Sequence, residues 1–116
     1  ENFASARFAL ESSEENSMTG DAPTVSPDVY KVVAEDERVR VLSVRLAPGE
    51  LTHLHTHPET VSIMQTGGTV RFTDPTGQTQ EVTLSAGEPV LLPATVHTTQ
   101  NVGDTELLGV LVELKY

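Results

Sequence analysis

The chain contains no cysteine. That removes disulfides, thiolate metal sites and cysteine nucleophiles together. Positive charge is also scarce: seven Lys and Arg stand against 17 Asp and Glu, for a formal net charge of -10. The few cations are scattered and form no basic patch. This excludes nucleic acid and anionic membrane surfaces as expected partners, because both are polyanions. The acidity itself reads as a solubility device. No run approaches the ~20 apolar residues of a membrane-spanning helix. No serine nucleophile sits beside a base in a recognisable pattern, no Gly-rich phosphate loop is present, and no segment repeats at a fixed period. A soluble protein is expected, cytoplasmic or exported.

What remains is one domain of ordinary size, 116 residues with 37% hydrophobic content. Composition divides it near residue 28. Residues 1–28 include "ESSEENSMTGDAPTVSPD", which buries little and reads as an N-terminal arm, either flexible or docked on a partner. Within the arm, "NFASARFALESS" is compatible with a short helix. Phe3 and Phe8 in such polar surroundings suggest docking on a second subunit, so a homodimer is expected.

Residues 29–116 read as strand, turn, strand. "RVRVLSVRL" alternates, with a phase slip at Val41–Leu42 that predicts a β-bulge. Pro48–Gly49 turns the chain, Gly67–Gly68 signals a tight hairpin, and "DPTG" at 74–77 and "SAGE" mark further turns. No helix is required after residue 30. Eight or nine short strands predict a small all-β sandwich or barrel. Arg38, Arg40, Arg45 and Arg71 alternate with apolar residues and read as solvated faces paired with acids. Phe72 and Leu92 read as core, Met64 as core or interface, and Asn101 as the cap of the turn "NVGD".

The chemistry concentrates in "PGELTHLHTHPE". His53, His55 and His57 recur at a spacing of two; of the four histidines only His97 lies elsewhere. On a strand that spacing sends all three imidazoles to one face. Imidazole is the commonest protein metal ligand, so a metal site is expected there.

Two stretches then resemble the cupin superfamily, small jelly-roll barrels of the cupin-2 type. In that family a first motif runs Gly, five residues, His-x-His; Gly49, His55 and His57 fit, with Pro58 after them. A second runs Gly, five residues, Pro, a few residues, His, three residues, Asn; Gly87, Pro93, His97 and Asn101 fit, with Thr95 where a glycine is usual. Short bacterial cupins show a similar arrangement. The resemblance covers about residues 30–116. It implies a jelly-roll β-barrel and a divalent transition metal (Fe, Mn, Ni, Zn or Cu) on His55, His57 and His97, with His53 as a fourth ligand or a rim residue. The family's carboxylate is missing: its positions hold Val61 and Ser62. A shifted register pairs His53 and His55 with Glu59 but puts Ala47 where Gly49 should fall.

Without that carboxylate, the site resembles the three-histidine iron centres of thiol dioxygenases. The resemblance therefore implies a metal-dependent dioxygenase of a small molecule, or else a non-catalytic metal or small-ligand binding protein. Alternation puts Val61, Ile63 and Gln65 on one face. Gln65 is a candidate for orienting a ligand or metal-bound water, and Glu59 a candidate general base.

Overall fold

The computed structural model describes residues 20–115, and along several of their strands buried side chains alternate with less buried ones. Ten strands run β1 (Gly20–Asp21), β2 (Tyr30–Glu35), β3 (Val39–Leu46), β4 (His55–His57), β5 (Thr60–Met64), β6 (Gly68–Thr73), β7 (Thr79–Leu84), β8 (Val90–Leu92), β9 (Thr95–Asn101) and β10 (Leu107–Leu114), with one helical turn α1 (Ala22–Val25) after β1. They form two five-stranded sheets, β1-β4-β9-β6-β7 and β2-β3-β10-β5-β8. The sheets face each other as a jelly roll; hydrogen bonding does not close them into one continuous barrel.

Strands β3 and β10 pair antiparallel over eight residues each, from Leu107↔Leu46 to Leu114↔Val39. Along β10 every second residue is buried, so Leu107 and Leu111 enter the core. Leu42, Val44 and Leu46 of β3 join them, with Met64, Val70 and Leu84. Each buried leucine contributes roughly 1.5–3 kcal/mol relative to an exposed one.

Three local expectations change. The β-bulge lies on β2, between Val32 and Ala34, while β3 pairs with β10 without interruption. The Val41–Leu42 step is what that bulge sits opposite. Gly67–Gly68 is not a hairpin turn, because β5 belongs to one sheet and β6 to the other. Its glycines permit close approach: a Cβ on Gly68 would lie 2.7 Å from Leu107 Cδ2, and one on Gly67 would lie 3.0 Å from the Leu84 carbonyl. Arg40 is not on a solvated face. It shares the parity of the buried Leu42, Val44 and Leu46 along β3, and it meets Glu113 directly across the β3–β10 pair.

Of the expected arm, residues 1–19, with Phe3, Phe8 and the proposed helix, lie outside the described residues. Residues 20–28 are packed on the fold. Strand β1 pairs in parallel with β4, Gly20 opposite His55 and Asp21 opposite Thr56, and Ala22 is fully buried. Among the described residues no helix is long and apolar enough to cross a membrane.

Candidate metal centre

Three of the four histidines meet inside the fold. His55 and His57 sit at the two ends of β4, and His97 lies on β9, where it is the direct partner of His55. All three are buried, and one ring nitrogen from each lies within 4.8 Å of the others. Strand alternation accounts for the His55–His57 pair, and antiparallel register brings in His97.

Hydrogen bonds aim two of the rings. His55 Nδ1 donates to the His53 carbonyl at 2.8 Å, and His57 Nδ1 donates to Glu113 Oε2 at 2.8 Å. With Nδ1 carrying the proton, each Nε2 presents its lone pair. His55 Nε2 is fully buried and has no hydrogen-bond partner. A buried acceptor without a partner is costly, and a metal ion is the group that satisfies a lone pair converging with two others. His97 is held differently, stacked on Phe72 with ring centroids 4.5 Å apart and planes 2° from parallel. Tyr30, itself buried, sets its ring edge-on to His55 and His57 at 5.2 and 5.6 Å. Burial holds the Tyr30 hydroxyl protonated far above the usual phenol range.

Glu113 is the residue that sequence reasoning passed over. It is 1% exposed, and Arg40 donates to its Oε1 from Nε at 2.9 Å and from a terminal nitrogen at 2.6 Å. Another Arg40 nitrogen reaches Asp21 Oδ2 at 2.9 Å. A chain Asp21–Arg40–Glu113–His57 therefore runs from the surface to the site. Carboxylate partners of this kind orient histidine ligands and raise their basicity. The signal was present: Glu113 shares the parity of Leu107 and Leu111, which puts a carboxylate on a core face.

The other candidates lie elsewhere. His53 is exposed and outside the cluster, because it precedes β4 and the two-residue period does not extend to it. Its backbone N–H donates to Ser26 Oγ at 3.0 Å, which fastens the segment after α1 to the loop before the ligands. Glu59 and Gln65 are exposed. Val61, Ile63 and Gln65 do share a face, but it is the outer one; Thr60, Ser62 and Met64 point inward. The Pro58–Glu59 connection carries the chain from one sheet to the other and resets the parity. Of the two positions for the family's carboxylate, it is therefore Ser62 that borders the site cavity. Asn101 is fully buried and structural, its Nδ2 donating to the Leu46 and Thr105 carbonyls and its Oδ1 accepting from Gly103 N–H.

Burial, reinforced by the neighbouring imidazoles, lowers the pKa of His55 to about 4 and that of His97 to about 3. Both are neutral at physiological pH, the form that binds metal. In the unfolded chain they titrate near 6.5. Below that pH the unfolded state binds more protons than the folded one, so metal-free protein loses stability as the pH falls from 6.5, and the loss levels off only below the folded values. Urea unfolding of metal-free protein is expected to show a lower midpoint at pH 5 than at pH 7, a window above the carboxylate range. Equal midpoints would show that these imidazoles are not held neutral.

The fold is shared with known structures. A cupin domain protein from Bordetella pertussis is similar at 30% identity and TM-score 0.69, over 76% of this chain and 93% of that one. A protein from Klebsiella pneumoniae with a double-stranded β-helix domain is similar at 18% identity and TM-score 0.59, over 91% and 90%. A cupin superfamily protein from Desulfitobacterium hafniense is similar at 18% identity and TM-score 0.56, over 76% and 77%. No family model matches the chain, and no curated protein does. Fold and site define a jelly-roll protein with a buried histidine cluster able to hold a metal ion. The chain belongs to the cupin superfamily.

Proposed function

We propose that this cupin binds a divalent transition metal through His55, His57 and His97 and acts as a metal-dependent dioxygenase on a small molecule. The observation that carries the metal reading is His55 Nε2, buried without a partner among two further ring nitrogens. Three neutral nitrogens suit iron, copper, nickel or zinc better than a hard cation. When bound, a redox-active metal with open positions supplies the chemistry of dioxygen reduction. The chain's own part is to orient and to exclude water. His53 and Glu113 fix the ligand tautomers, Phe72 holds the His97 ring, and Tyr30 and the apolar walls keep the site dry. Protein purified without added metal is expected to contain close to one transition-metal ion per chain by elemental analysis. Iron- or copper-loaded protein is expected to consume dioxygen with a small organic substrate, in an oxygen-electrode screen. Stoichiometric metal with no uptake would select non-catalytic binding instead.

We infer further that two copies of the chain pair. On the outer face of the β2-β3-β10-β5-β8 sheet, Leu91, Val61, Val112, Val41 and Ala34 stand in one row across neighbouring strands, with Ile63 opposite Val110 beside it. With eight residues in each of β3 and β10, six in β2, five in β5 and three in β8, strands about 4.8 Å apart give a face on the order of 500 Å², at the low end of specific interfaces. An apolar face of this kind complements itself across a two-fold axis. Sedimentation of the full-length chain at micromolar concentration is expected to give a dimer, and Val110→Glu a folded monomer. A monomeric parent protein would reject the pairing.

A further inference from the structure

The space beyond the histidines has a chemical character that the metal reading leaves unspecified. Its walls include Val44, Met64, Val70, Leu84, Leu107 and Leu111, and the rings of Tyr30 and Phe72 close it further. Among the described residues that line it, none is Lys, Arg, Asp or Glu. The inward-facing cation of β3, Arg40, does not line it and is engaged by Glu113 and Asp21. The polar groups present are hydroxyls and the two imidazoles of His57 and His97, and one of those hydroxyls, on Thr60, is donated to the Pro58 carbonyl. Apart from a bound metal ion, which the ligand's one metal-binding atom would engage, no charged side chain of the lining compensates a carboxylate or an ammonium group on the rest of the ligand. Taking such a group out of water without a partner is strongly unfavourable.

Size narrows the choice. The cavity offers about 60 Å³ of room for the centre of a water molecule. An apolar cavity of about 150 Å³ takes benzene, so this smaller space takes an apolar body of only a few non-hydrogen atoms. A wider depression outside it shares Phe72, Leu92, Pro93, Thr95 and His97 with the cavity and is bordered by Asp74, Gln78 and Gln80. The two spaces therefore adjoin at Phe72 and Leu92, and the charged residue Asp74 borders the outer one only.

We propose that the cavity selects a small uncharged ligand, a short apolar body of a few heavy atoms carrying a single metal-binding atom, and discriminates against carboxylate- and ammonium-bearing analogues. This rests on the metal reading above for the polar end of the ligand, but not for its apolar body.

Three thiols of similar size separate the possibilities: neutral 1-propanethiol, anionic 3-mercaptopropionate and cationic cysteamine. The chain has two methionines. In full-length protein labelled at the methionine methyls, the signal that Met64→Leu removes reports on the cavity wall. With metal-free protein, propanethiol is expected to shift the Met64 signal with an affinity at least ~10-fold above either charged thiol. With cobalt-loaded protein, the thiolate-to-cobalt absorption is expected to follow the same order. Equal or tighter binding of a charged thiol in either experiment overturns the proposal, as does an unmoved Met64 signal in saturating propanethiol. A protein that takes up no cobalt yet keeps the propanethiol preference at Met64 refutes the metal reading and leaves the cavity proposal standing. Cobalt uptake with a charged thiol preferred does the reverse.

Discussion

His57→Ala and His97→Ala are each expected to empty the metal site, with affinity falling more than ~100-fold, beyond the 10–100-fold typical for losing a residue that only supports a ligand. Each removes one of three converging nitrogens, and no carboxylate among the described residues joins the cluster to take its place. His55→Ala should do the same, with a larger loss of stability, because His55 is wholly buried and its removal also leaves the His53 carbonyl without its donor. His53→Ala should change metal affinity by less than about 3-fold, since its exposed ring stands apart from the cluster. Equilibrium dialysis followed by elemental analysis, with circular dichroism to verify folding, measures all four. Retained metal in His57→Ala, or an empty site in His53→Ala, would move the centre to the register that contains Glu59.

The strands and the ligands were legible for one reason: alternation persists along uninterrupted strands. Leu42, Val44 and Leu46, or Leu107 and Leu111, can be assigned to a core face by counting in twos. His55 and His57 follow the same count, and the cupin resemblance supplies His97. The failures occur where strands end. His53 lies before β4 begins, so its parity with His55 is meaningless. Counting from His57 sends Val61 and Gln65 inward, but the count passes through Pro58–Glu59, a sheet-to-sheet connection that shifts the phase by one. Gly67–Gly68 has hairpin composition, yet the β5–β6 connection also changes sheets, and the glycines serve packing against Leu107 and Leu84. Arg40 and Glu113 failed for another reason. Each obeys the alternation, but the charge of Arg40 argued for solvent and Glu113 was not singled out; only the β3–β10 register shows that the two neutralise each other inside.

That pair should carry the largest stability effect in the molecule. Glu113→Leu removes a buried carboxylate that accepts from Arg40 and from His57, and leaves the half-buried guanidinium with Asp21 alone. Breaking one side of a buried ion pair costs about 3–5 kcal/mol. The reciprocal change, Arg40→Leu, leaves Glu113 with only the His57 Nδ1–H and should cost a similar amount. With both replaced, the apolar pair faces itself across β3 and β10, and most of the loss should be recovered, because neither charge is stranded. Metal affinity separates the structural role from the supporting one. Glu113→Leu is expected to weaken metal binding 10–100-fold, since His57 loses the acceptor that fixes its tautomer. The double variant should recover stability but not affinity. Urea unfolding of metal-free protein and metal competition titrations on all four proteins measure the two effects independently. Affinity that recovers in step with stability would show that Glu113 acts on the site only by holding the fold together. Additive losses in the double variant would show that Arg40 and Glu113 do not act as a pair.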